Sequence, residues 1–93
     1  MTTVPRTSGV FSATGQSAEV RGYGVSFALT FAGAATVTLE YYDDGLAAWT
    51  TARSYTATPA NPPVQIPDVA YRRWRLNCTA HTGDVTYSMI GGG

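Results

Sequence analysis

Lysine is absent from this chain, histidine and cysteine occur once each, and charged residues make up only 13% of it. A single cysteine, Cys78, has no partner for an internal disulfide, and neither Cys78 nor His81 stands in a zinc-binding spacing. No carboxylates pair on a shared face of the strands read below, so the sequence offers no catalytic residue, no metal site and no cofactor site. A dinucleotide loop is missing too: Gly22 and Gly24 lack a third glycine, and no strand-to-helix switch follows them. Formal charge is zero, without the basic excess that draws a protein to nucleic acid or to an anionic membrane. No apolar run approaches the roughly 18 residues of a membrane-spanning helix, because Thr, Ser, Ala or Glu interrupts the hydrophobic segments at every second position. Thr2, Thr3, Val4, Pro5 and Arg6 follow Met1 without a continuous apolar stretch, so no secretory signal is expected and folding is expected in a reducing cytoplasm.

What the chain has in quantity is alternation. From Val25 to Tyr42 apolar residues alternate with small or polar ones, the two-residue repeat of a pleated strand. Val25, Phe27, Leu29 and Phe31 form one inward row and Val37, Leu39 and Tyr41 the next, joined by a turn at Ala32, Gly33 and Ala34. Asp43, Asp44 and Gly45 then supply turn chemistry, with Gly45 free to take positive φ, and Trp49 to Tyr55 returns as a third strand. A short strand is expected from Gln16 to Arg21, ending where Gly22 and Gly24 let the chain bend. Pro59, Pro62 and Pro63 place a loop from Thr56 to Pro63, and a short strand at Val64, Gln65 and Ile66 is expected to stop at Pro67. Tyr71 to Ala80 puts Trp74, Leu76, Cys78 and Ala80 inward and Arg73, Arg75, Asn77 and Thr79 outward; after a turn at Thr82, Gly83 and Asp84, Val85, Tyr87 and Met89 form the last inward row.

About seven strands with closely spaced turn signals predict an all-β protein, a single antiparallel β-sandwich, immunoglobulin-like or jelly-roll-like. Its predicted core is Phe27, Leu29, Val37, Leu39, Trp74, Leu76, Cys78, Val85 and Tyr87. Residues 1–15, rich in Thr, Ser, Gly and Pro, read as an extended N-terminal arm, residues 16–90 as the sandwich, and 91–93 as a flexible glycine tail. A true immunoglobulin domain is disfavoured, since Cys78 has no partner on an earlier strand and Leu76 stands where a tyrosine corner would place Tyr.

Residues with chemical potential read most simply as structural. His81 sits beside a turn with no nucleophile at a recognisable spacing, and Cys78 shares the inward register of Trp74 and Leu76. Asp43, Asp44 and Gly45 lack the later oxygen ligands of a calcium loop, which Leu46, Ala47, Ala48 and Trp49 replace. Tyr42 and Trp49 flank one hairpin; they form either a sugar-stacking platform or ordinary cross-strand packing. All six cations are arginine, and Arg72, Arg73 and Arg75 fall together. That clustering suits planar contacts at an interface, or it reflects coding bias.

The segment TVTLEYYDDGLAAW (36–49), followed by YRRWRLNCTAHTGDVTY (71–87), resembles small β-sandwich proteins encoded among the structural genes of tailed bacteriophages. There, strands of the type TVTLxxSxDGGxTW and YRLxCTxxTSGTVxY occupy corresponding places. Tyr41, Tyr42 and one extra residue before Trp49 depart from that pattern. The resemblance implies a non-enzymatic virion component: a capsid decoration or cement protein, assembled in the bacterial host cytoplasm, whose partners are the major capsid protein or other virion proteins. The alternative is a carbohydrate-binding or adhesion module of a head or tail fibre, or a neck or tail-associated structural protein. A chain of this size buries only ~60–65% of its unfolded surface, which favours a homo-oligomer. A trimer would match the three-fold positions of a capsid lattice. Val4, Val10 and Phe11 of the arm, with Arg72, Arg73 and Arg75, are the expected contacts to subunit or capsid.

Overall fold

The computed structural model describes residues 6–58 and 64–92, with side chains for all of these except 64–69. Seven strands make up one antiparallel sheet: β1 (Arg6–Phe11), β2 (Gly15–Gln16), β3 (Val20–Phe31), β4 (Ala35–Asp43), β5 (Ala48–Tyr55), β6 (Val64–His81) and β7 (Val85–Gly91). They lie in the order β1-β7-β3-β6-β4-β5, with β2 added beside β6. The all-β antiparallel expectation therefore holds.

The sheet rolls over on itself. Three strand steps separate β3 from β5, which in a flat sheet would leave them about 14 Å apart at about 4.8 Å per step. Yet the rings of Phe27 on β3 and Tyr55 on β5 meet edge to face with centroids 5.5 Å apart, and Phe31 N–H donates to the Thr58 hydroxyl at 3.0 Å. The long strands allow the roll. β6 pairs with β3 from Val64 to Trp74 and with β4 from Trp74 to His81, so it passes from one half of the sheet to the other. At one end two turns are tied together, Ala32 N–H donating to Asp84 O at 2.8 Å and Thr82 N–H to Ala34 O at 2.8 Å.

The roll gives one core. Phe27, Leu29, Val37, Leu39, Trp74, Leu76, Cys78 and Val85 are all buried as their period-two register predicts, together with Phe11, Val20, Val25, Ala35 and Met89. Tyr87 is only half-buried but packs against the core, its ring stacked on Phe11 at 4.5 Å.

Four expectations need correction. Over Arg6–Phe11 the predicted arm is a strand, paired with β7 from Arg6↔Ile90 to Phe11↔Val85; residues 1–5 lie outside the described residues. Glycine at position 9 weakens the local strand signal but suits the pairing. Tyr87 is its cross-strand partner, and a Cβ at Gly9 would stand 3.0 Å from the Tyr87 hydroxyl, so the ring covers the glycine and extends the apolar face to Phe11. Second, the tail is tied down as far as Gly92: Gly91 ends β7, and Gly92 N–H donates to Gly24 O at 2.8 Å while Tyr23 N–H donates to Gly92 O at 2.9 Å. Third, β3 does not stop at Gly22 and Gly24 but bulges there, Gly24 taking φ of 104°. Fourth, β6 continues through Pro67, which faces Gly24 across that bulge. Among the described residues only β3 lies beside 64–73, and an edge position tolerates the missing N–H. The loop expected through Pro59, Pro62 and Pro63 lies outside the described residues.

The positive φ of the β4–β5 hairpin, expected at Gly45, falls instead at Ala47, with φ of 52°. The Asp43 carboxylate organises the turn, accepting from Gly45 N–H at 2.9 Å and Leu46 N–H at 3.1 Å, and leaves the left-handed residue to the end of the loop. Ala47→Gly should therefore raise stability, by roughly 0.5–1 kcal/mol, because the left-handed cost to a Cβ disappears. A urea midpoint that falls would show that the turn does not need this geometry.

Candidate functional site

The outward face of β5–β4–β6 carries the chemistry that the sequence left unassigned. Alternation sends Thr38, Glu40 and Tyr42 outward from β4 and Arg73, Arg75 and Asn77 outward from β6. The register then sets Glu40 opposite Arg75 and Thr38 opposite Asn77, and on the other side Tyr42 opposite Trp49. Arg75 Nε donates to Glu40 Oε1 at 2.7 Å, while Asn77 Nδ2 and the Thr38 hydroxyl donate to Oε2 at 3.2 and 3.4 Å. Glu40 is thereby buried with both oxygens satisfied.

Tyr42 and Trp49, the sequence-level ligand platform, do come together, edge to face at 5.6 Å. Their faces are already covered. The Arg73 guanidinium lies 3.9 Å from the Tyr42 ring centre and that of Arg75 lies 4.1 Å from the Trp49 ring. Stacking of this kind fixes long side chains and limits the entropy lost when they meet a partner. Arg72, of opposite parity, lies over Tyr41 at 4.8 Å, and Tyr41 packs against buried Trp74.

Beside this ladder a pocket of about 270 Å³ opens between β3, β6 and the β4–β5 hairpin, lined by Arg21, Tyr42, Asp44, Tyr71, Arg72 and Arg73. Arg21 has no signal of its own in the sequence pattern. It becomes visible only in the register, which sets it directly opposite Arg73.

The other expected contact residues separate. Val10 is 55% exposed on the edge strand β1, whereas Phe11 is only 6% exposed and belongs to the core, so it is not free to dock elsewhere. Val4 lies outside the described residues. His81 Nε2 is 2.9 Å from Asp84 Oδ1 across the β6–β7 turn, a local tie. Among the described residues no three His, Cys, Asp or Glu side chains gather to hold a metal ion.

Cys78 is walled in by the core. Burial pushes its thiol pKa up, and a backbone hydrogen bond at Ala80 only partly counters this. The reactive thiolate is thus disfavoured. Native protein at neutral pH should resist a thiol reagent such as DTNB and react fully in denaturant. Rapid labelling of the native protein would mean that the core opens.

No known protein family, curated protein sequence or solved structure matches the chain. No helix among the described residues is long and apolar enough to cross a membrane.

Proposed function

We propose that this chain is a non-enzymatic structural protein of a tailed-phage virion, a decoration or cement protein that docks on the capsid as a homo-oligomer. The observation that carries this reading is the outer face of β5–β4–β6, where Arg73 and Arg75 are held over Tyr42 and Trp49. Arginine and large aromatics on a rigid sheet are the side chains most enriched where proteins bind proteins. The two segments that carry the resemblance to phage proteins also lie side by side, Leu39 facing Leu76 and Val37 facing Cys78. In this reading the rolled sheet is a two-layered sandwich, β1, β7 and β3 over β6, β4 and β5, of immunoglobulin-like or jelly-roll-like type.

Edges with no strand beyond them among the described residues favour association. β1 and β5 end the strand order, and β5 is a row of eight residues with no proline to blunt it. A closed trimer, the arrangement that fits three-fold capsid positions, would cover such edges and suits a virion location with the major capsid protein as partner. The fibre-module reading draws on the Tyr42–Trp49 contact, but sugar stacking would first have to displace two arginines from the ring faces.

The decisive measurement is the copy number in purified virions, with light scattering of the isolated protein alongside. A decoration protein should be present on the order of hundreds of copies and run as a symmetric oligomer. A few copies per particle, with saturable binding to glycans, would replace this reading with the fibre module. Absence from virions would end both.

A further inference from the structure

We infer that the pocket between β3, β6 and the β4–β5 hairpin is a recognition site for an acidic segment of a partner protein, one that presents a carboxylate next to an apolar side chain. The inference rests on the reading of this face as a docking surface and adds the chemistry of what docks there.

Its first support is a like-charge pair that the described residues neutralise only in part. Arg21 and Arg73 are direct cross-strand partners, and like charges so placed repel. Glu19 answers Arg73 alone, at 3.4 Å and with both side chains partly in solvent, where an ion pair is weak. Arg21 has no carboxylate within ion-pair distance among the described residues. A carboxylate entering between the two guanidinium groups would accept from both and relieve the repulsion, and arginine's planar fork favours that geometry.

The second support is preorganisation. Arg73 is held over the Tyr42 ring at 3.9 Å, so less side-chain entropy is lost on binding. The third is an apolar flank: Tyr71 lines the pocket and packs its ring 5.3 Å from that of Tyr23, yet the two are 56% and 52% exposed. Two large exposed rings beside paired arginines fit an apolar side chain adjacent to the carboxylate.

Nucleic acid fits less well. Asp44 lines the same pocket, a single carboxylate against Arg21 and Arg73, and opposes any anion there; a run of phosphates would meet Asp43 in the turn as well. The chain's zero formal charge supplies no field to draw a polyanion.

The test is calorimetric titration at low salt with a capped hexapeptide alternating glutamate and phenylalanine, with inorganic phosphate and with oligothymidylate. The peptide should bind saturably, at about millimolar dissociation constant or tighter, and weaken as salt is added. Arg21→Gln with Arg73→Gln should weaken it by about tenfold or more, while Arg53→Gln on the β5 edge leaves it unchanged. Thermal melting checks that each variant folds. If the double variant does not, Arg21→Gln alone gives the same reading, since its exposed side chain makes no ion pair among the described residues. No saturable peptide binding, equal affinity in a folded variant, or tighter binding of oligothymidylate or phosphate would each overturn the assignment. Because the titration uses isolated protein, its failure is distinguishable from failure of the virion reading, which the copy number in virions tests separately.

Discussion

Leu39→Ala is expected to lower the unfolding free energy by about 2–5 kcal/mol, a large share of the roughly 5–14 kcal/mol that a domain of this length commands. Leu39 has no exposed surface. It stands in the middle of β4 between Arg53 of β5 and Leu76 of β6, and no helix covers this sheet among the described residues. The lid over Leu39 must therefore be the opposite side of the roll. Truncation removes contacts with that side and leaves a cavity that rigid strands cannot close. Urea unfolding followed by tryptophan fluorescence should show a lower midpoint with an unchanged slope. Val10→Ala, at a position 55% exposed, should stay within about 0.5 kcal/mol of the parent. If the two substitutions cost the same, the sheet is not rolled around Leu39.

The inner rows were legible because period-two patterning needs no knowledge of topology. Trp74, Leu76 and Cys78 could be assigned to the core from their own strand alone. What escaped depends on which strand lies next to which. β1 has one buried apolar side chain, Phe11, and owes its place to pairing with β7 and to Tyr87 covering Gly9. Nothing within residues 6–11 signals that partner. Pro67 reads locally as a strand breaker and is tolerated because its stretch of β6 lies at a sheet edge, opposite the bulge at Gly22 and Gly24.

The candidate site divides in the same way. Tyr42 and Trp49 flank one hairpin, so their meeting followed from the turn. The clustering of Arg72, Arg73 and Arg75 was equally plain, but their separate roles were not. Arg75 is committed to Glu40 and Trp49, and Arg73 is shared between Tyr42, Glu19 and the pocket. Arg21 comes opposite Arg73 only once β3 and β6 are known to pair. Long-range register, which a single sequence does not display, separates an arginine that holds the fold together from one available to a partner.

Gly22→Ala is expected to cost about 2–4 kcal/mol, although the backbone there has no positive φ and alanine meets no conformational objection. The cost is steric and specific to the chain's end. A Cβ at Gly22 would run into the backbone N and O of Gly92, atoms that cannot swing aside as a side chain would. To make room, residues 91–92 must move outward. That breaks the hydrogen bonds from Gly92 N–H to Gly24 O and from Tyr23 N–H to Gly92 O, each worth roughly 0.5–1.5 kcal/mol. Gly22 is a junction as well, because its carbonyl accepts from the indole of buried Trp74 at 3.3 Å, so displacement of this backbone is felt in the core. The clash can be isolated by ending the chain at Ile90, which removes all three obstructing atoms and lowers stability by the latch and the last residue of β7. In that shortened protein Gly22→Ala should cost at least about 1 kcal/mol less than in the full chain, a coupling that only direct contact produces. Equal cost in both backgrounds would show that Gly22 serves the β3 bulge alone and that the segment ending in Gly92 is not latched against it.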